Sequence, residues 1–230
     1  MNPITLRRCI IAAGIVCALL LVAALVIPLL GRTCILSSKS QDRSNLRLIG
    51  MASLVYAADH NDRHPTATDV WDYARQLAEG GGLNEAGMWT SKVDPAYRGA
   101  DASRIAILVT TETTRRQLNP AFPTLKPSVA VILGEFASTV PATTPIIWTR
   151  GLQPDGTWAS HSPYGKDEGG YIVFADSRIA FFKNIRDDGG KLVRFGTTTK
   201  TANILEALPP GTRIGEYVPT AEEQIAWSKR

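Results

Sequence analysis

The chain has 230 residues, of which 44% are hydrophobic and 20% charged, and its formal net charge is +4. This composition excludes a disordered, collagen-like or coiled-coil chain, and the length fits one domain with an added segment. Arg7 and Arg8 carry part of the small charge excess, and no stripe of arginine and aromatic residues accompanies it. We therefore expect no nucleic-acid partner.

The most distinctive feature is an uncharged apolar run over residues 9–31. A helix of this length would rise about 34 Å at ~1.5 Å per residue, enough to cross a hydrocarbon core of about 30 Å. The apolar part of a cleaved signal peptide has only about 7–15 residues. We therefore predict a short cytoplasmic tail over residues 1–8 and a transmembrane helix over residues 9–31, with membrane lipid as its partner.

Two other interpretations of this run stay open. The small residues Ala23 and Ala24 could precede a signal-peptide cleavage site. Cys34 could carry a lipid, although Arg32 and Thr33 before it match a lipoprotein poorly. Because Cys34 is the only cysteine outside the run, the C-terminal domain forms no internal disulfide. A short N-terminal tail and a long C-terminal domain favour a single-pass protein whose C-terminal domain lies outside the cytoplasm.

Residues 32–65 are predicted to form a linker and an amphipathic helix. From Ser44 onwards, apolar or small residues recur at spacings of three and four, which is typical of a helix with one buried face. The stripe contains Leu46, Ile49, Ser53, Tyr56 and Ala57, with the small residues Gly50, Ala52 and Ala58 near it. We expect the stripe to pack closely on a sheet, and the helix to end within residues 59–65, since Pro65 disfavours a helical residue before it.

Residues 66–230 are predicted to form an α+β ectodomain. A second helix should begin near Thr68 or Asp69 and stop at Gly80-Gly81-Gly82. Beyond it, short β-branched or aromatic runs predict strands at residues 104–110, 129–136, 146–149, 171–175 and 178–183. Only Asp176-Ser177 separates the last two runs, which predicts a tight hairpin. For residues 192–230 we expect surface loops and one or two short helices.

No motif of a known catalytic, nucleotide-binding or metal-binding type occurs in the sequence. We therefore assign no catalytic, cofactor-binding or metal-ligating residues, and expect that the chain is not an enzyme and holds no cofactor. His60 and His64, with Asp59 and Asp62, could bind a metal if they shared one face of an unbroken helix. Because Pro65 predicts that the helix has ended there, we favour a solvated turn.

A second candidate is Ser160-His161, with Asp167, Glu168 or Asp176 as a third group. Adjacent side chains of an extended segment point to opposite faces, so this dipeptide alone supplies no triad geometry. The same acidic residues could bind calcium, but their spacing lacks a calcium-loop signature. We favour a solvated loop.

Two parts of the sequence resemble a bacterial protein family. The first is RSNLRLIGMA at residues 43–52 with YAADHNDRHP at residues 56–65, and the second is GGYIVFADSRIAF at residues 169–181. Together with the N-terminal apolar run, they resemble the type IV pilin-like and type II secretion pseudopilin-like proteins of planctomycetes and verrucomicrobia. In that family, similar stretches close the long N-terminal helix and form a C-terminal hairpin.

The chain departs from that family near its N-terminus and in the hairpin. The sequence at residues 7–11 has neither the Gly that ends a prepilin leader nor the Phe and Glu that begin the mature helix. Ser177 and Arg178 stand where the family has Gly and His. A carboxylate within lipid is costly and normally functional, so the missing Glu is informative. These departures argue against cleavage and N-methylation by a prepilin peptidase.

The resemblance implies a pilin-like fold, in which a long N-terminal helix spans the membrane with its first half and packs its amphipathic second half on an antiparallel sheet. It implies a protein of the bacterial inner membrane with a periplasmic C-terminal domain. Such a protein would act by association with other pilin-like subunits or secretion-system proteins, as in a type II secretion or type IV pilus-like assembly. The alternative is a membrane-tethered periplasmic binding or hydrolytic domain with a site near His161, which a concave pocket lined by His161 and a carboxylate would favour.

Overall fold

The computed structural model describes residues 36–97, 102–110, 116–187 and 191–228. They form an α+β structure with three α-helices and a five-stranded antiparallel sheet, and residues 41–230 make up one compact unit. The predicted α+β class and antiparallel sheet are therefore confirmed. No helix among the residues described is long and apolar enough to cross a bilayer, and the predicted tail and transmembrane helix, residues 1–31, lie outside them.

The first helix ends, and the second begins and ends, close to the predicted positions, whereas the first is already helical at residues 36–43, before the predicted start at Ser44. They are α1, described over residues 36–59, α2 at Val70–Gly80 and α3 at Ala221–Ser228. After α1, Asn61 and Asp62 adopt left-handed conformations with φ of 54° and 59°, through which a right-handed helix cannot continue. At the start of α2, the Asp69 side chain accepts the N–H of Asp72 and so caps the first turn.

The strands are short, and most of them belong to one sheet. They are β1 (Leu108–Thr110), β2 (Arg116–Leu118), β3 (Val129–Leu133), β4 (Pro145–Thr149), β5 (Gly170–Phe174), β6 (Ile179–Phe182), β7 (Leu192–Val193), β8 (Lys200–Thr201) and β9 (Arg213–Gly215). The main sheet has the order β6-β5-β4-β3-β9, while β1 with β2 and β7 with β8 form two-stranded ribbons. All five predicted strands are present: β1, β3 and β6 are shorter than predicted, β4 begins one residue earlier, and β5 is shifted by one residue. Strands β2, β7, β8 and β9 were not predicted.

The last part of the chain contains more strand than we expected. Residues 192–228 form β7, β8 and β9 as well as a 3-10 helix at Ile204–Ala207 and α3. Strand β9 lies beside β3, with Gly215 opposite Val131. Glycine is needed for this fit, since a Cβ at residue 215 would lie 2.6 Å from Leu133 Cδ1. Three residues are too few for a periodic signal, so pairing with β3 decides their conformation.

The hairpin between β5 and β6 differs from the predicted one by one residue. The Ser177 N–H donates to the Phe174 carbonyl at 2.8 Å, and the Phe174 N–H donates to the Arg178 carbonyl at 2.9 Å. The loop therefore has three residues, and Ser177 takes the left-handed conformation with φ of 63°. Asp176 Oδ1 accepts the Arg178 N–H and supports the turn. Strand β6 is an edge of the sheet.

The buried face of α1 packs closely on the sheet. Leu46, Ile49 and Ser53 are almost fully buried, as predicted. Gly50 lies against β5, where a Cβ would come within 2.8 Å of Val173 Cγ1. Tyr56, which ends the stripe, is only half-buried and donates its hydroxyl to Gln76 on α2 at 3.2 Å. Close approach at Gly50 and a second contact with α2 hold the helix on the domain.

This packing predicts that Ile49→Asp unfolds the compact unit. Ile49 has no exposed surface, and a buried carboxylate without a partner is among the most destabilising changes in a core. We expect loss of the cooperative thermal transition measured by circular dichroism. The matched control is Val55→Asp on the same helix, where the side chain is 52% exposed and the change should leave the transition within a few degrees. An unchanged transition in Ile49→Asp would contradict the packing.

Candidate functional site

The two histidines at the end of α1 lie in different environments. His60 is exposed, its ring stacks on Tyr56 with centroids 3.8 Å apart, and its Nδ1 lies 2.7 Å from the Tyr56 carbonyl oxygen. His64 is buried and stacks on Phe136 at 4.6 Å. Within the described ranges, no group of three or more His, Cys, Asp or Glu side chains could hold a metal. The predicted solvated turn is correct for His60, which is exposed. It is wrong for His64, because the chain turns back into the core and buries that side chain.

His64 belongs to a buried group of hydrogen bonds that the sequence analysis missed. Its Nδ1 lies 2.7 Å from the Ser53 hydroxyl on α1, which lies 2.7 Å from the Tyr73 hydroxyl on α2. A serine next to a histidine is the composition of a nucleophile and its base. Ser53 has no exposed surface, however, so its hydroxyl is out of reach of a solute. The group instead ties α1, α2 and the intervening turn together.

Burial also determines the charge of this group. It lowers the pKa of His64 to about 4, so the imidazole is neutral at neutral pH. Burial likewise raises the pKa of Tyr73, and the hydrogen bond from Ser53 offsets only part of that rise. The three side chains are therefore uncharged and their hydrogen bonds carry no ionic component.

A buried ion pair lies at the C-terminal end of strand β4. Arg150, directly after β4, has Nη2 2.8 Å from Asp94 Oδ1, and neither side chain has exposed surface. The guanidinium also donates to the carbonyl oxygens of Pro127 and His161, both at 2.9 Å. Asp94 in turn accepts the Ser128 hydroxyl at 2.5 Å. Such additional bonds help a buried ion pair to be tolerated. Arg150 Nε, however, is buried and has no hydrogen-bond partner among the described residues.

The same polar network reaches α1 through Asp42. The hydroxyls of Ser91 and Tyr164 donate to Asp42 Oδ2 at 2.5 Å and 2.8 Å. The Ser91 N–H donates to Ser128 Oγ at 2.8 Å, which connects this end to the ion pair. Burial raises the pKa of Asp42; the bonds from Ser91 and Tyr164 offset part of the rise, and the Asp94 carboxylate adds to it. Asp42 is thus a buried acid that forms no ion pair with a basic side chain in the part of the chain that the structure describes.

The turn after β4, at Gly151, lies close to the loop that contains Ser162 and to Glu216. Gly151 has a φ of 89°, and a Cβ there would lie 3.2 Å from Ser162 Cα, so glycine permits the close approach. The Gly151 N–H donates to Glu216 Oε2 at 2.9 Å. Burial raises the pKa of Glu216, while that N–H and Arg150 lower it. Glu216 is therefore a second carboxyl group, besides Asp94, that lies near the Arg150 guanidinium.

The concave regions among the described residues include the following three. A small cavity of about 20 Å³ lies beside Asp42, which is room for about one water molecule. An open groove of about 620 Å³ lies at the start of α2, between Trp71 and Pro123. A shallow region of about 580 Å³ lies beside Pro209. None of these three linings includes His161.

The residues around His161 do not converge on a site. Its carbonyl accepts from Arg150, and its Nε2 is buried without a hydrogen-bond partner in the described part of the chain. Burial lowers the pKa of His161 and Arg150 lowers it further, while Asp94 raises it. Ser160, Asp167, Glu168 and Asp176 are exposed. None of these three regions is therefore the pocket that would favour a binding or hydrolytic site near His161.

Comparison with models of known families, with curated proteins and with solved structures finds no match to this chain. The likeness to pilin-like proteins therefore rests on the quoted motifs, and any functional argument rests on the geometry of the chain itself.

The ion pair predicts a large cost for Arg150→Met. The variant would leave the Asp94 carboxylate buried without its partner, which typically costs about 3–5 kcal/mol. Chemical denaturation should show a loss of this size in the free energy of unfolding. Arg186→Met is the control, because the Arg186 side chain is 58% exposed and its pairs should contribute no more than about 1 kcal/mol. Equal effects of the two substitutions would contradict the buried pair.

His64 predicts acid destabilisation between pH 6.5 and about 4. In this window the unfolded chain binds a proton at His64 that the folded chain excludes, so stability falls as the pH falls, by up to about 3 kcal/mol. The difference in free energy of unfolding between wild type and His64→Asn should follow this slope, because contributions from Asp42 and Glu216 cancel in it. His60→Asn should retain the wild-type slope, and a flat difference for His64→Asn would contradict the assignment.

Proposed function

We propose that this chain is a membrane-anchored, pilin-like envelope protein that acts by protein association, with α1 as its association surface. The observation that carries the proposal is that α1 is apolar on two faces. One face covers the sheet, and Leu48, Met51 and Val55 on the other are 42%, 48% and 52% exposed. Large apolar side chains spaced along an exposed helix face are typical of a protein interaction site.

The spacing of the exposed residues favours another helix as the partner. Leu48, Met51 and Val55 follow one another at intervals of three and four, which is the spacing of a helix seam. Met is also well suited to adaptable contacts, because its side chain is unbranched. We define these three residues as the outer stripe and propose that it packs against the outer stripe of a second copy.

Membrane attachment would make such a small surface effective. Three half-exposed side chains supply only a fraction of the roughly 800 Å² per partner that a standard interface buries. An anchor at residues 9–31 would confine the copies to one membrane and raise their effective concentration. The proposed setting is the bacterial inner membrane with the C-terminal domain in the periplasm, in a type II secretion or type IV pilus-like assembly.

The pilin-like arrangement is supported by the order of elements. The helix with small residues precedes the antiparallel sheet, and the quoted hairpin forms its edge at β6. Gly50, in the first quoted motif, lies on Val173, in the second. The two motifs that carry the resemblance thus pack against each other. Among the three concave regions named above, the motifs contribute only Asn45 and Leu46, to the small cavity beside Asp42, and we propose a structural role for both motifs.

Cross-linking in membranes tests the outer stripe. In a full chain whose Cys9, Cys17 and Cys34 are replaced by Ala, Met51→Cys should form a covalent dimer with a short bismaleimide. Asp155→Cys is the matched control, since its side chain is 55% exposed and lies outside α1. We expect a dimer yield at least several-fold higher for the Met51 position in membrane vesicles.

A second substitution separates association from folding. Leu48→Ser with Val55→Ser should lower the cross-linking yield of the Met51→Cys chain several-fold and leave its thermal transition within a few degrees. Equal yields at the Met51 and Asp155 positions, or a yield unaffected by the two serines, would refute association through the outer stripe.

A further inference from the structure

Exposed basic side chains from several parts of the chain meet where α1 enters the compact unit. Ser91 and Tyr164 both donate to Asp42 near the start of α1, so the loops that carry them lie side by side there. Each of these three residues is within two positions of an exposed base, and these bases are Arg43, Lys92 and Lys166. The hydrogen bonds at Asp42 therefore bring three exposed bases to one end of the unit.

The end of β6 brings a further base to the same place. Gly169, which follows Lys166 in the loop before β5, lies against the residue after β6, since a Cβ at Gly169 would come within 2.7 Å of Lys183 Cα. Lys183 is exposed. This base therefore lies next to the loop that contains Lys166.

An exposed aromatic ring lies among these bases. Phe181 packs on Tyr171 with ring centroids 5.1 Å apart, and Phe181 is 44% exposed. Burial raises the pKa of Tyr171 and the charge of Arg43 lowers it, which is consistent with a guanidinium near this pair of rings. Aromatic side chains beside Lys and Arg are typical of surfaces that lie in a membrane interface.

These bases form a local excess of charge on a neutral unit. We define the basic patch as the four bases named above together with Arg47, one helical turn after Arg43. Residues 1–40 account for the whole formal net charge of +4, so residues 41–230 are neutral overall. Within two residues of the patch, the exposed acids are Asp167 and Glu168, while Asp42 and Asp94 are buried. Bases therefore outnumber exposed acids at this end of the unit.

The patch also differs from other parts of the surface in its ion pairs. Arg63, Arg75 and Arg194 each pair with a nearby carboxylate. In the part of the chain that the structure describes, no ion pair joins a base of the patch to an acid. A group of like charges without counter-charges attracts anionic partners.

The patch lies at the end of the unit that is nearest in sequence to the predicted anchor. Residues 32–40 separate the anchor at residues 9–31 from the compact unit, which begins at Gln41. Such a connection spans at most about 30 Å, so the anchor would hold this end of the unit close to the bilayer. A short tether raises the effective concentration of the patch at the membrane surface.

We propose that the basic patch binds the anionic phospholipid headgroups of the membrane that holds the anchor, and so orients the compact unit on the bilayer surface. The proposal rests on the membrane anchor of the proposed function. Each base close to an anionic surface strengthens binding about five-fold, and the attraction falls off within about 8 Å at physiological salt. Phe181, beside the patch, then enters the headgroup region.

Lysine labelling of the full chain in vesicles tests the patch. The chain is reconstituted in phosphatidylcholine alone or in equal parts of phosphatidylcholine and phosphatidylglycerol. Its lysines are then methylated with formaldehyde and an uncharged borane reductant, and peptide mass spectrometry follows each of them. We expect Lys92, Lys166 and Lys183 to react about three-fold or more slowly in the anionic vesicles. Lys200, exposed on β8, should react equally in both. At about 1 M NaCl, where the screening length is about 3 Å, the difference should disappear.

Arginine variants connect the protection to the patch as a whole. Arg43→Gln with Arg47→Gln leaves every lysine in place and should reduce the protection by more than half. Arg116→Gln with Arg213→Gln is the matched control, since both bases are exposed and lie on β2 and β9. The control should keep the wild-type protection, and both double variants should melt within a few degrees of wild type.

Three results would overturn the proposal. The first is equal reaction of the patch lysines in the two kinds of vesicle, and the second is equal loss of protection in the two double variants. The third is equal protection by inorganic phosphate in neutral vesicles, which would make a soluble anion the ligand of the patch.

Flotation with neutral vesicles tests the anchor separately. A chain that floats with them but shows no lipid-dependent protection keeps the anchor and refutes the patch. A chain that does not float with them refutes the anchor. In that case the patch stands if the chain floats with anionic vesicles and shows the same protection, and it is refuted otherwise. Leu48→Ser with Val55→Ser should leave the protection unchanged, so the outer stripe and the patch are tested independently.

Discussion

The close packing of α1 on β5 is the contact on which the rest of the described structure depends. Because Gly50 has no side chain, the helix approaches Val173 more closely than any larger residue would allow. This approach positions both ends of the helix. Towards its C-terminal end, Ser53 comes within hydrogen-bonding distance of His64 and Tyr73, and towards its N-terminal end, Asp42 meets Ser91 and Tyr164. Both polar groups that we describe are therefore consequences of one apolar contact.

The two buried polar groups differ in the charge of their side chains. The group at Ser53 contains only neutral side chains, so its burial requires hydrogen bonds and no counter-charge. The group at Asp42 contains two acids and one base, so hydrogen bonds alone do not balance it. The group at Ser53 needs no such balance, and its hydrogen bonds only join elements of the fold.

The helix α1 combines stability and association on opposite faces. Its inner face is completed by the sheet, whereas the outer stripe of Leu48, Met51 and Val55 has no such cover in the described chain. If α1 served only to complete the core, apolar side chains exposed to water on its outer face would not add to the stability of the domain. Their presence on one seam is the physical reason for proposing a second helix as partner, and a membrane anchor would make the weak contact sufficient.

The amino-acid sequence by itself determined the elements whose signal is local. The stripe containing Leu46 and Ile49 predicted the buried face of α1, Asp69 and the glycines after residue 79 predicted the limits of α2, and the runs that became β3 to β6 predicted the core of the sheet. Only the tertiary structure decided the rest. The burial of His64, the pairing of β9 with β3 and the meeting of Asp42 with Tyr164 join residues distant in sequence, because such contacts depend on how the elements pack and leave no periodic trace in the chain.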